Sequence, residues 1–234
     1  MPAMDTPQGT DRRAIPQRST TWAAKLADVM HAAKLTPNRV SVGSVLFAAL
    51  GAAALIASAL VATDGARAVW LIVAVMCIPL RLLLNMLDGM LAVEKGMHTP
   101  TGDLFNEVPD RVADLILLAA AGYATLGVWA TESLDWGVII GWAAASAAVL
   151  TAYVRTLGAA NGVGNFFDGP MAKPARMWVL VVACLASLFE PLFEARGLFL
   201  ATGLVIILVG SIVTVIMRLQ RIATALHARK AGAQ

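Results

Sequence analysis

Residues 85–114 read NMLDGMLAVEKGMHTPTGDLFNEVPDRVAD. The stretch leaves one long apolar run and enters another, yet it carries Asp88, Glu107, Asp110 and Asp114. Two asparagines, Asn85 and Asn106, accompany them. Asn85 and Asp88 are three residues apart, which puts them on one face of a helix. Asn106, Asp110 and Asp114 follow at intervals of four and form a slowly drifting stripe on another helix. Gly96, Pro100 and Gly102 break the chain between the two runs. The expectation is an antiparallel helical hairpin that brings both polar sets together just below a membrane surface.

The membrane follows from the rest of the chain. Of 234 residues, 59% are hydrophobic and 14% charged, and the mean hydropathy is +0.73. A soluble domain of this length needs more polar surface to cover its core. Apolar runs of spanning length lie at roughly 40–62, 67–93, 104–129, 135–157, 175–192 and 198–220. Ahead of them, TTWAAKLADVMHAAKL can place Trp22, Leu26, Val29, Met30 and Leu35 on one helix face, away from Lys25, Asp28 and Lys34. That pattern suits a helix lying at the membrane interface; a soluble linker helix is the alternative. The expected fold class is therefore an all-α integral membrane protein, with six transmembrane helices preceded by an interfacial amphipathic helix.

Three regions are expected. Residues 1–19 are polar, lack the apolar centre of a signal peptide, and read as a disordered cytoplasmic tail. Residues 20–222 form one membrane domain, and 223–234 a basic cytoplasmic tail. Arg12, Arg13, Arg18, Lys25, Lys34 and Arg39 precede the first span, and Arg218, Arg221, Arg229 and Lys230 follow the last. Lys95, Lys173 and Arg176 fall in the loops on the same side, whereas the opposite loops hold just Arg67 and Arg196. This bias puts both termini in the cytoplasm. The net charge of +3 needs no nucleic acid, because basic residues beside membrane lipids of an anionic leaflet explain it. Cys77 and Cys184 sit in apolar runs and read as buried thiols.

An ionised aspartate in mid-membrane costs about 2.5–3.5 kcal/mol on insertion scales. Several together need a water-filled cavity, cationic partners or a metal. Pairing with Arg81 and Arg111 is the plain structural explanation. Converging carboxylate and amide oxygens also suit a hard divalent ion, Mg²⁺, Mn²⁺ or Ca²⁺. No His–Cys set suggests zinc, and His98 reads as a lone solvated loop histidine. Gly89 and Ala92 adjoin Asp88 and leave room for a close helix or a flat ligand.

With these residues in place, the stretch resembles the signature of the CDP-alcohol phosphatidyltransferase family: D-x-x-D-G-x-x-A-R, eight residues, then G-x-x-x-D-x-x-x-D. Asp88, Gly89, Ala92, Gly102 and Asp110 match at the expected spacing. Asn85 and Asn106 stand at the first and third Asp, and Val93 stands at the Arg. LTPNRVSVGSV resembles the family's Pro-Asn entry to the first span, and AYVRTLGAANGVGNFFDGPMAKPAR its basic segment after the fourth. The similarity covers most of residues 20–222.

The resemblance implies a reaction. Such enzymes transfer a substituted phosphoryl group from a CDP-linked donor, in bacteria commonly CDP-diacylglycerol, to an alcohol acceptor and release CMP. It implies Mg²⁺ or Mn²⁺ held by Asn85, Asp88, Asn106 and Asp110, with Asp110 as the catalytic base. Gly89, Ala92 and Gly102 would border the nucleotide. Arg155, Lys173 and Arg176 would bind the phosphates of substrate. Glu107, Asp114 and Arg111 are accessory candidates. It further implies the inner membrane of a bacterium and leaves a homodimer open. The acceptor stays open among glycerol phosphate, inositol phosphate, serine and a second lipid.

The asparagines can still ligate through their carbonyl oxygens, but each removes a negative charge. Pro109, just before Asp110, frees the carbonyl of Phe105 and is expected to kink the helix. A catalytically impaired nucleotide- or lipid-binding homologue is the second reading, and a small-solute transporter the third.

Overall fold

The computed structural model describes residues 20–97 and 99–231, without the side chain of Asp103. The expected tail 1–19, the loop residue His98 and the last three residues of the basic tail lie outside that description. Seven α-helices follow in order: α1 (Thr21–Ala32), α2 (Pro37–Leu60), α3 (Asp64–Glu94), α4 (Gly102–Tyr123), α5 (Trp136–Ala160), α6 (Lys173–Ala186) and α7 (Leu198–Ala231). A 3₁₀ segment, Ser187–Phe193, prolongs α6.

The helix starts follow local chemistry. Thr36 caps α2 by accepting from the Arg39 amide, with Pro37 at the first helical position. Thr63 and Asp135 cap α3 and α5 in the same way. Among the described residues, five segments are long and apolar enough to cross a membrane: α2, α3, α5, α6 with its 3₁₀ extension, and α7. Helix α4 has 22 residues but carries Glu107, Asp110, Arg111 and Asp114 in its first half. Residues 223–231 of the basic tail continue α7 as helix.

The main helix contacts close a ring in the order α3, α2, α4, α5, α7, α6 and back to α3. This corrects the expected hairpin. The backbones of α3 and α4 come close at few points, and α2 packs extensively against both. Small residues make the insertion fit. A Cβ added at Gly51 of α2 would lie 3.2 Å from Cys77 of α3 and 3.2 Å from Leu117 of α4. Elsewhere in the ring, Gly122 of α4 and Gly141 of α5 bring their backbones into direct contact. The interior is filled by alanine, leucine and methionine, with Leu55, Leu71, Ile78, Leu117, Leu118, Leu180 and Leu204 sealed from solvent.

Helix α1 forms over Thr21–Ala32 and turns its alanine edge toward α3. Ala23 and Ala27 are buried, with Leu26, Met30 and Leu35 packed nearby against Met86, Leu87, Met90 and Leu91 of α3. Trp22 and Val29 are exposed. The narrow alanine edge fits the flank of α3 more closely than an indole can, and Lys95 after α3 pairs with Asp28 of α1.

Candidate functional site

The polar residues gather at the end of the ring where α3, α5 and α7 finish and α2, α4 and α6 begin. Every helix of the ring contributes. Helix α3 brings Arg81, Asn85 and Asp88, and α4 brings Glu107, Asp110, Arg111 and Asp114. Helix α6 opens with Lys173 and Arg176. Ser41 comes from α2, Thr151 and Arg155 from α5, and Arg218 from α7.

Two layers are distinguishable. The inner layer centres on Asp114, which is wholly buried. Its carboxylate accepts from Arg81 Nη2 at 2.8 Å and Arg176 Nη2 at 2.6 Å. Arg176 also donates to Thr151 Oγ1 and to the Met171 carbonyl. Arg81 also donates to the Asp110 carbonyl at 3.2 Å. These contacts tie α3, α4, α5 and α6 together without a ligand.

The outer layer is built on Asp88 and Asp110. Ser41 Oγ lies 2.6 Å from Asp88 Oδ2 and 3.1 Å from the Pro37 carbonyl. A hydroxyl has one proton to donate, and the shorter, charge-assisted contact to Asp88 takes it. Asp88 Oδ1 is buried with no hydrogen-bond partner, and so is Asp110 Oδ1. The Lys173 ammonium lies 2.5 Å from Asp110 Oδ2 and donates to Asn85 Oδ1 at 3.0 Å. Asp88 is within electrostatic range of both Asp110 and Lys173. Arg81 and Arg111 each approach the Asp110 carboxylate at 3.6 Å.

Glu107 forms a separate bridge. It pairs with Arg155 at 2.5 Å and with Arg111 at 3.6 Å. The Arg155 guanidinium stacks on Phe167, 5.3 Å from the ring centroid. Arg218 holds that connection by donating to the Asp168, Phe167 and Thr151 carbonyls.

The structure thus brings Asn85, Asp88, Asp110, Asp114, Arg111 and Lys173 into one cluster, with Glu107 and Arg155 on its flank. Asn106 is exposed at the start of α4. Gly89, Ala92 and Gly102 are half-buried near the ends of α3 and α4, and Val93 is exposed. Arg176 departs from its expected place as a phosphate ligand. It is 1% exposed, and its guanidinium is committed to Asp114, Thr151 and Met171. Sequence reasoning missed Ser41 and Thr151, which look like ordinary small residues of apolar helices. It also missed Phe167 and Arg218, which come from a loop and a distant helix. Arg218 alone carried a signal, as a cation at the edge of an apolar run.

Among the described residues, no three of His, Cys, Asp and Glu converge to hold a metal by themselves. Asp88 Oδ1 and Asp110 Oδ1, buried without hydrogen-bond donors, are hard oxygen donors of the kind a divalent cation takes, its other ligands then coming from substrate or water. A buried carboxylate oxygen without a donor is costly, and coordination to a cation would offset that cost.

Comparison with proteins of known structure shows that the fold is shared with a phosphatidyl-group synthase. The structures concerned are those of the phosphatidylinositol phosphate synthase of Mycobacterium tuberculosis. The form in complex with manganese and citrate aligns with a TM-score of 0.62 at 23% identity, over 86% of this chain and 89% of that one. The form with CDP-DAG bound gives 0.61 at 23% identity over 86% and 92%. The apo form gives 0.60 at 24% identity over 86% and 95%. No family model and no curated protein matches the sequence.

Proposed function

We propose that this protein is a membrane-embedded CDP-alcohol phosphatidyltransferase. It moves a phosphatidyl group from CDP-diacylglycerol to an alcohol and releases CMP. The observation that carries the reading is the pair Asp88 and Asp110, each with a buried oxygen lacking a hydrogen-bond donor. They stand at the signature's spacing on a fold whose manganese- and CDP-DAG-bound examples align over most of the chain. A transporter reading draws less support, because the buried acids lie at the two ends of the ring while its middle is apolar.

In this reading α4 is a sixth span, its charged first half screened from lipid by the ring. The cluster faces the cytoplasm, as the Lys and Arg bias requires, and α1 lies at that interface. Asp88 and Asp110 would hold a divalent ion, which neutralises pyrophosphate charge when bound. Ser41 fixes the rotamer of Asp88. Asp110 Oδ2 accepts the proton of the acceptor hydroxyl. Gly89, Ala92 and Gly102 border the nucleotide, where a larger side chain would exclude a flat base. Arg155, stacked on Phe167, offers a guanidinium to a phosphate of donor or acceptor. The lipid tails remain in the bilayer while the reacting pyrophosphate meets the polar end of the ring.

The test is CMP release by purified protein from CDP-diacylglycerol, with Mn²⁺ or Mg²⁺ and a panel of alcohols including glycerol phosphate, inositol phosphate and serine. CMP formed only when both metal and one alcohol are present supports the reading. Tight CDP binding with no CMP under any condition favours a binding homologue and overturns it.

A further inference from the structure

The asparagine at position 85 has a partner that explains it. Its Oδ1 accepts from the Lys173 ammonium, which simultaneously rests on Asp110 Oδ2 at 2.5 Å. An ammonium therefore stands between one acidic position of the signature and the position where an acid is replaced by an amide. The charges around it are already overcompensated. Asp88, Asp110 and Asp114 bring three negative charges, and Arg81, Arg111, Lys173 and Arg176 bring four positive ones. Glu107 and Arg155 cancel each other. Among the described side chains the cluster's cations outnumber its acids, and a divalent cation arriving without an anion would meet repulsion there. Asp88 Oδ1 and Asp110 Oδ1 nonetheless lie buried without hydrogen-bond donors, so both oxygens stay open to an ion that arrives with its own negative charge.

We propose that Lys173 is the resident cation of this cluster, so that a divalent ion binds only together with the anionic pyrophosphate of the nucleotide. The pyrophosphate draws the ammonium off Asp110 and brings the negative charge that the two asparagines lack. The same movement uncovers Asp110 Oδ2, which cannot take a proton from an acceptor while the ammonium occupies it. Lys173 is thus a positioning residue that couples donor binding to exposure of the base. Lysine suits this role, because its compact ammonium rides on four flexible methylenes and can change partners without moving the helix.

The proposal rests on the transferase reading, and the two fail separately. Mn²⁺ binding is titrated by electron paramagnetic resonance on the full chain in detergent, with and without CDP. Wild type binds Mn²⁺ weakly alone and at least about tenfold more tightly with saturating CDP, and Mn²⁺ strengthens CDP binding by the same factor. Lys173→Met gains at least about tenfold in Mn²⁺ affinity without nucleotide, because a charge of like sign has gone. Lys173→Arg keeps the wild-type behaviour. Equal Mn²⁺ affinities for wild type and Lys173→Met without nucleotide overturn the assignment. So does a wild-type Mn²⁺ affinity that CDP leaves unchanged, a measurement that needs no variant to fold. The transferase reading falls on absent CMP release, and these affinities do not depend on turnover.

Discussion

Arg176 Nη2 lies 2.6 Å from Asp114 Oδ2, and both side chains are sealed from solvent, at 2% and 0% exposure. Asp114 also neutralises Arg81. One carboxylate therefore fixes two buried guanidiniums from different helices. Asp114→Ala leaves Arg176 without a counter-charge and Arg81 with the longer contact to Asp110. Removing one partner of a buried pair costs about 3–5 kcal/mol, so this variant should lose most of its folded fraction in a thermal melt in detergent. A melting temperature close to wild type would show that Asp114 does not organise the cluster.

Ser41 predicts the opposite balance. It sits at the edge of the cluster and orients one carboxylate. Ser41→Ala removes a charge-assisted hydrogen bond of about 1–3 kcal/mol. If that energy acts on the reacting geometry, CMP release falls by about 10- to 100-fold, while the melting temperature changes little. Release equal to wild type would detach Asp88 from the reaction.

The ring makes its own prediction, away from the chemistry. A Cβ at Gly141 would lie 2.5 Å from the Gly122 Cα, and backbone cannot swing aside as a side chain can. Gly141→Ala must push α4 and α5 apart, at a cost of about 1–3 kcal/mol for overpacking. Denaturation in detergent measures it. An unchanged stability would contradict the α4–α5 contact.

The opposite end of the ring holds a second buried pair. Arg67 donates to Glu190 Oε2 at 2.6 Å, and Glu190 also accepts from Ser187 Oγ and the Gly197 and Phe199 amides. The carboxylate locks α3 to the turn between α6 and α7. Glu190→Gln leaves a buried guanidinium uncompensated and is expected to cost about 3–5 kcal/mol. Its CMP release, measured well below the melting temperature, should match wild type because the pair lies outside the cluster. A stable protein with lost turnover would reverse both expectations.

Much of this was legible in the sequence. Hydropathy located the six long helices and the amphipathic pattern the first, with starts within a few residues, whereas α4 stops at Tyr123 and α7 runs on to Ala231, well away from the expected ends. The spacing put Asn85 and Asp88 on one face of α3 and Asn106, Asp110 and Asp114 on one stripe of α4, of which the structure buries Asp110 and Asp114 and leaves Asn106 exposed. The ring order was not legible. Hydropathy gives each helix alone, whereas the insertion of α2 between α3 and α4 depends on Gly51 meeting Cys77 and Leu117. Arg176 could not be told from Lys173 by type or neighbourhood. One lies a helical turn deeper and is consumed by Asp114, while the other reaches the outer acids. The partner of Asn85 was hidden for the same reason. Lys173 lies 88 positions away in sequence, and only the closed ring brings them together.

CMP release from CDP-diacylglycerol, compared between wild type and Asp110→Asn, tests the central claim most directly. Asparagine keeps the shape of the side chain and its place in α4 but cannot take the acceptor's proton. Wild type should release CMP in a metal- and alcohol-dependent reaction. Asp110→Asn should still bind CDP and release CMP at least about a thousandfold more slowly, within the range lost with a general base. Release by Asp110→Asn at the wild-type rate, or CMP formed without metal or alcohol, would contradict the account.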